Sequence, residues 1–144
     1  MREIKFRAWH KGQLKMYLVK KLELVDKRDD QILLATDTKI GYIIANLRQC
    51  ELMQYTGLKD RNGVEIYERD IVNTKCCGEW HKAIVEYRNG SFYVDGEHWV
   101  KNHIIGDFIT EDEIEVIGNI YENPELLEEL LNNADKKDKD KRKI

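Results

Sequence analysis

The sequence predicts a mainly β protein whose second half folds into a compact, closed sheet. Two observations indicate this fold class: turn signals recur about every ten residues as far as position 106, and apolar residues alternate with polar ones between them. Alternation with a period of two is typical of half-buried strands. We therefore expect a β subdomain over residues 1–50, a small barrel over 51–122, a short helix over 123–131 and a disordered tail over 132–144.

The N-terminal segment predicts an antiparallel hairpin. Apolar residues alternate over 4–9 and again over 14–18, with Gly12 in the turn between them. Ile4, Phe6 and Ala8 point to one face, and Leu14, Met16 and Leu18 repeat the pattern. Trp9 then points to the other face beside Arg7, with no evident internal partner.

A second strand pair is expected from residues 22–24 and 32–34, because the charged segment 27–30 between them cannot be buried. Residues 42–45 form an apolar stretch that fits either a short helix or a strand.

Two Asn-Gly pairs mark chain reversals in the second half. Asn62-Gly63 separates a strand at 52–56 from one at 64–67, and Asn89-Gly90 separates 83–87 from 92–94. Both residue types tolerate positive φ, which tight hairpin turns require. A last strand is expected at 114–120, after the acidic segment 111–113.

Asn123-Pro124-Glu125 predicts the start of a helix. The asparagine supplies a capping oxygen, the proline needs no hydrogen-bond partner at the first helical position, and the carboxylate lies near the positive end of the dipole. The leucines that follow form one apolar stripe, comprising Leu126, Leu127, Leu130 and Leu131. The stripe packs either on the chain's own barrel or on a neighbouring subunit. The charged residues after Asn133 predict a disordered tail.

Composition and charge limit the classes of function. The chain has 144 residues and is 42 % hydrophobic, with no apolar run long enough for a membrane span and no apolar segment after Met1, so a cytoplasmic protein is expected. Three cysteines indicate free thiols in a reducing compartment. Residues 132–144 carry net +3, which leaves net −6 for the body. An acidic body disfavours sequence-independent nucleic-acid binding.

Three sequence segments resemble the YopX family of phage and prophage proteins. They are residues 4–9 (IKFRAW), 52–72 (LMQYTGLKDRNGVEIYERDIV) and 115–127 (EVIGNIYENPELL). The resemblance implies an SH3-type barrel after the second segment and implies no known activity. The sequence departs from the family pattern at Arg69, where glycine is usual, and at His10, where aspartate is usual. If position 69 requires positive φ, we expect Arg69 either to carry strain of about 1 kcal/mol or more, or to shift the turn type.

Metal and catalytic sites are not expected. The possible zinc ligands are Cys50, Cys76, Cys77, His81, His98 and His103, but no Cys-x2-Cys pair occurs, and adjacent cysteines on a strand point to opposite faces. A nucleophile and base could be Cys50 or Cys77 with His81, or His98 with Asp95, yet nothing marks a cleft. The acidic residues Glu111, Asp112, Glu113 and Glu115 fit a solvated loop better than a magnesium site. We expect no cofactor and no enzymatic activity.

The favoured hypothesis is a protein-binding or self-assembling module that forms a homo-oligomer and docks onto another phage or host protein, with no membrane contact. The candidate interaction residues are Trp9, Tyr55, Tyr67, Arg69, Trp80, Arg88, Trp99, Leu127 and Leu131. The alternative is single-stranded nucleic-acid binding, in which bases stack on tyrosine and tryptophan rings beside lysine and arginine. Alternation with valine and isoleucine predicts that about half of these rings lie in the core instead.

Overall fold

A computed structural model describes residues 2–24, 31–36, 41–96, 103–106 and 109–141, with side chains up to residue 136. The chain forms two compact units, Met1–Tyr55 and Thr56–Ile144. The predicted subdomain boundary at residues 50 and 51 lies five residues before this division. The protein is mainly β, as the sequence predicts, with eleven strands and one α-helix among the described residues.

The first sheet has six strands in the order β4-β3-β2-β1-β5-β6. The strands are β1 (Phe6–His10), β2 (Lys15–Glu23), β3 (Gln31–Ala35), β4 (Tyr42–Asn46), β5 (Cys50–Lys59) and β6 (Glu65–Tyr67), and a 3₁₀ turn (Leu47–Gln49) precedes β5. Strand β5 continues across the division between the units. The predicted N-terminal hairpin and the pairing of Leu22 with Ile32 are both confirmed. The apolar stretch at 42–45 is a strand.

The core of the first unit lies on one face of this sheet and includes Ala8, Tyr17, Ile32, Leu34 and Ala45. Tyr17 lies directly opposite Ala8 in the hairpin. Because side chains alternate, Leu18 points to the other face and is 59 % exposed. Of the residues that continue the alternation after the turn, Leu14 and Leu18 are exposed, whereas Tyr17, between Met16 and Leu18, is buried.

The second sheet has five strands in the order β10-β9-β8-β7-β11. They are β7 (Asp70–Cys76), β8 (Glu79–Arg88), β9 (Ser91–Gly96), β10 (His103–Ile104) and β11 (Ile114–Asn119), and a 3₁₀ turn (Glu111–Glu113) precedes β11. Ile66 and Val85 belong to one buried core, and Phe92 packs against it. The strand pairings among the described residues leave β10 and β11 as open edges and close no barrel.

The Asn89-Gly90 turn forms as predicted. Asn89 has φ 50° and Gly90 has φ 81°, so both central residues are left-handed and Arg88 pairs directly with Ser91. This is the geometry of a type I′ turn, whose twist matches that of the flanking strands.

The turn that contains Asn62 is held by a buried carboxylate that the sequence analysis did not single out. Asp60 is 5 % exposed. Its Oδ1 accepts hydrogen bonds from the backbone N–H of Asn62 (2.8 Å) and Val64 (2.9 Å), and its Oδ2 accepts from the N–H of Val116 (2.9 Å). One side chain thus closes the β5–β6 turn and attaches it to β11.

The two departures from the family pattern both occupy turns. Arg69 has φ 66°, which confirms that position 69 needs a left-handed residue. Its backbone is fixed on both sides, since its N–H donates to Val85 O (2.8 Å) and its carbonyl accepts from Ile120 N (3.1 Å). His10 Nδ1 accepts from Gln13 N at 3.1 Å, the kind of bond that an aspartate side chain makes in such a turn.

The helix, α1, runs over Pro124–Lys141 and begins where the sequence predicts. The predicted capping oxygen of Asn123 instead accepts from Asn119 N at 3.1 Å. The predicted helix end at Leu131 and the predicted disorder of the following residues are corrected, because the helix continues for ten residues into the charged segment. That segment contains no proline or glycine, and its aspartates and lysines are compatible with helical structure.

Candidate interaction surfaces

Exposed apolar side chains lie on one side of the first unit's sheet over β2 to β4, although Met53 of β5, on the same side, is buried. The core residues Leu34 and Ile43 pair across β3 and β4, so their neighbours Leu33 and Ile44, which also pair, point to the opposite side. We call this side the outer apolar face; its members are Met16, Leu18, Leu33, Tyr42 and Ile44. Ile44 is 63 % exposed and Tyr42 is 40 % exposed. A sheet that is apolar on both faces is typical of a buried or associating sheet.

The outer apolar face ends at β4, which is an edge of the sheet as far as the described residues show. Strand β4, Tyr-Ile-Ile-Ala-Asn, contains neither a charge nor a proline. Edge strands of monomeric proteins usually carry such residues, because an open edge can pair with another chain. Strand β4 therefore presents an apolar face and an unprotected edge at the same place.

The second candidate surface is the hairpin tip between β7 and β8, at Cys76-Cys77-Gly78. Cys77 has φ 55° and Gly78 has φ 86°. This left-handed turn brings Cys77 Sγ within 3.7 Å of Cys76 Sγ. The expectation that the two thiols point to opposite faces is wrong, because it assumes a continuous strand and Cys77 is already in the turn.

The thiols of the chain differ in environment. Cys77 is exposed and Cys50 is buried, and none of the three cysteines is in a disulfide. Hydrogen bonding between the two adjacent thiols is the largest cause that raises the pKa of Cys76. Burial is the largest cause that raises the pKa of Cys50. Both thiols are therefore held in the protonated form more firmly than an ordinary cysteine.

An arginine and a tryptophan stack beside the hairpin tip. The guanidinium of Arg61 lies 5.3 Å from the ring centroid of Trp80. Trp80 is 42 % exposed and pairs across the strands with Lys75, which is also exposed. The tip thus combines an exposed aromatic ring with two cations, an arrangement suited to a partner with aromatic or anionic groups.

Several predicted interaction residues are internal. Tyr55 and Tyr67 are each 4 % exposed, and the Tyr67 hydroxyl donates to Glu65 at 2.9 Å. Their rings add to no surface; in β6 both Tyr67 and its neighbour Ile66 are buried, so that strand has a buried residue on each face. Trp9 is half-buried. Trp99 lies outside the described residues.

The predicted arginines are engaged by acidic neighbours. Arg69 lies 3.5 Å from Glu86, and Arg88 lies 3.6 Å from Glu86 and 3.5 Å from Asp95. Arg88 also lies over the ring of Tyr93 at 5.6 Å. These intramolecular pairs reduce the positive charge that this part of the sheet offers to a phosphate.

Helix α1 packs on its own chain. Of the two predicted alternatives, packing on the same chain or on a neighbouring subunit, the structure has the first. Leu130 is 4 % exposed, and Glu129 accepts from Lys82 Nζ on β8 at 2.7 Å. A groove of about 370 Å³ lies between the helix and β8–β9. Leu127 is half-buried, whereas Leu131 lines the groove and is 54 % exposed.

Among the described residues, those considered for metal chemistry form no group of three ligands. His81 is buried in β8, and Cys50 lies in the first unit. Within the described ranges no three His, Cys, Asp or Glu side chains are grouped to hold a metal ion. His98 lies outside those ranges.

The strand arrangement and the three sequence segments place this chain in a known class. The family model described as "YopX protein" matches residues 5–128. The chain therefore belongs to the YopX family, whose function is unknown.

Two solved structures are similar to this one. Protein EF1440 from Enterococcus faecalis is 29 % identical with a TM-score of 0.61, and the match covers 88 % of this chain and 99 % of that protein. Protein YopX from Bacillus subtilis is 25 % identical with a TM-score of 0.55, with 88 % and 98 % covered. No curated protein matches the chain. No helix in the described part of the chain is both long and apolar enough to cross a bilayer.

Proposed function

We propose that this chain is a non-enzymatic, phage-derived module of the cytoplasm that associates with a second copy of itself and in that form binds another protein. The observation that carries the proposal is the outer apolar face. Leu18 and Ile44 are 59 % and 63 % exposed, and they lie on one side of a sheet whose other side already covers a core. Water contact with this side is unfavourable, and contact with another apolar surface removes it.

A second copy is the occupant that β4 favours. An antiparallel pair of β4 strands, related by a two-fold axis at Ile44, would join two sheets edge to edge. The pairing would satisfy backbone groups on both edges and would bring the two outer apolar faces together as one continuous surface. The absence of charge from residue 42 to residue 46 removes the usual obstacle to this contact.

The test is sedimentation velocity on the wild-type chain and on Ile44→Lys. We expect a dimer for the wild type at micromolar concentration and an affinity at least about tenfold weaker for the variant, because the two-fold axis at Ile44 would place the two lysines opposite each other, where like charges repel. The matched control is Val64→Lys, which replaces a residue that is 47 % exposed in the other unit. Wild-type monomers at all concentrations, or equal dimerisation by the Ile44 variant, would contradict the proposal.

The second candidate function, single-stranded nucleic-acid binding, is favoured by Arg61, Trp80 and Lys75 at the hairpin tip. An exposed ring beside two cations can stack a base and contact its phosphate. Titration of tryptophan fluorescence with oligonucleotides at two salt concentrations separates the candidates. Quenching that weakens steeply with salt and is absent in Trp80→Ala supports binding, whereas an unchanged signal eliminates it.

For the fold of the second unit we propose an SH3-like barrel that stays partly open. The order β11-β7-β8-β9-β10 supports this. In chain order β7 is the first strand of this sheet, and it pairs with both the second strand, β8, and the last, β11. The 3₁₀ turn immediately before β11 also fits such a barrel. Nuclear Overhauser contacts between β10 and the β5–β6 hairpin test it, because a curved barrel brings these segments together and a flat sheet keeps them apart.

A further inference from the structure

We propose that Cys76 and Cys77 form one half of a tetrahedral zinc site and that the same two thiolates of a second copy of this chain complete it. Their Sγ atoms are 3.7 Å apart. Two thiolates bound to one tetrahedral zinc lie about 3.8 Å apart, since each Zn–S bond is about 2.3 Å long. The left-handed turn therefore already holds the thiols at the spacing that zinc requires.

The usual objection to adjacent cysteines does not apply here. Neighbouring residues in a strand point to opposite faces, and a metal cannot join them without distortion. Here the positive φ of Cys77 (55°) places its side chain beside that of Cys76. Neither cysteine is in a disulfide, and the pair lies at a two-residue turn, where Cys77 is exposed and Cys76 is half-buried against the core of the second unit.

A single chain does not complete the site. No third His, Cys, Asp or Glu is grouped with the pair in the portion of the chain that the structure describes. A hairpin tip can approach its two-fold mate closely, and four thiolates in tetrahedral geometry are a common zinc ligand set. Zinc binding then replaces four thiol protons with one cation and leaves a net charge of −2 at the metal. Lys75 directly precedes the pair in the sequence, and the Glu113 carboxylate also acts on Cys76.

This inference is independent of the outer apolar face and deepens the proposed self-association by adding a second contact between copies. The experiment uses the full chain with Ile44→Lys, so that association through β4 does not contribute. Equilibrium dialysis against zinc chloride measures the stoichiometry, and sedimentation measures the mass with zinc and with a chelator. Cobalt substitution reports the ligands, because thiolate-bound tetrahedral Co²⁺ absorbs intensely in the visible and near ultraviolet.

We expect one zinc ion per two chains, a zinc-dependent dimer and a cobalt spectrum of four thiolates. Cys76→Ser with Cys77→Ser should abolish all three, and Cys50→Ser, which removes the buried thiol, should leave them unchanged. One ion per monomeric chain would overturn the role of the second copy, and no binding by the wild-type thiols would overturn the site. If the wild-type chain binds no zinc but still forms a dimer in the presence of chelator, the proposed function stands and this inference alone is rejected.

Discussion

Replacing Arg69 with glycine should relieve backbone strain that the fold carries at this turn. Arg69 has φ 66°, and its backbone is held by hydrogen bonds to Val85 and Ile120. A left-handed conformation costs a residue with a side chain about 1–2 kcal/mol. Glycine avoids that cost but loses about 0.5–1 kcal/mol through the greater freedom of the unfolded chain. Arg69→Gly should therefore exceed Arg69→Ala in stability by about 0.5–1 kcal/mol.

The comparison with Arg69→Ala separates strain from charge. Arg69 lies 3.5 Å from Glu86 and its side chain is 47 % exposed, so that ion pair contributes about 0–1 kcal/mol and both variants lose it equally. The control is Lys75, an exposed strand residue with ordinary φ. There the change from alanine to glycine should cost about 0.5–1 kcal/mol.

Urea unfolding followed by circular dichroism measures all four variants, with unchanged slopes as the sign of unchanged denatured states. The change from alanine to glycine should raise the unfolding free energy at position 69 and lower it at position 75. If glycine lowers the unfolding free energy at both positions by the same amount, the turn at Arg69 is not strained and the reasoning is refuted.

Four further predictions follow from buried or turn side chains. Asp60→Asn should lower the unfolding free energy in urea by about 1–3 kcal/mol, because an amide leaves one of three buried N–H groups without its acceptor; an unchanged midpoint would contradict that role. Thr74→Val should leave stability unchanged or raise it, by up to about 1 kcal/mol, because the buried Thr74 hydroxyl has no partner among the described residues; a clear loss in the same assay would reveal a partner. His10→Asp should keep the turn bond to Gln13, whereas His10→Ala should lose about 1 kcal/mol; equal stabilities would show that the bond contributes nothing. Iodoacetamide should modify Cys77 in the folded protein and Cys50 only after unfolding, which peptide mass spectrometry checks. Because burial raises the pKa of Cys50 above 9.0, the stabilising contribution of the Cys50 thiol should be present below that pH and decline above it. The difference in unfolding free energy between wild type and Cys50→Ala at high pH checks this second statement.

Features that depend on local residues could be predicted from the sequence. Asn89-Gly90 specifies a left-handed turn whatever surrounds it, and Pro124 fixes the start of the helix. The Arg69 conformation was foreseen because a glycine-preferring position limits φ directly. The hairpin β1–β2 follows from alternation around a short turn.

Features that depend on which face is buried were harder to predict. From the sequence pattern Tyr55 and Tyr67 could be surface aromatics, yet both are buried. A tyrosine ring can be buried when its hydroxyl reaches a partner, as that of Tyr67 reaches Glu65. The outer apolar face could not be foreseen because Ile43 and Ile44 are equally apolar and only pairing shows which one is exposed.

Cys76 and Cys77 were rejected as zinc ligands on an assumption about conformation. Spacing rules treat Cys76 and Cys77 as strand neighbours, whereas the turn begins between them. The signal that could have found the turn is Gly78, since a glycine directly after a polar residue between two strands is typical of a two-residue hairpin loop.

Hydrogen–deuterium exchange at two protein concentrations tests the proposed self-association most directly. If two copies pair along β4, the amides of residues 42–46 that face away from β3 should exchange more slowly at high concentration, while those of the β8–β9 turn should not change. Identical β4 exchange at two concentrations between which the chain passes from monomer to dimer would show that the copies meet elsewhere and would contradict the account.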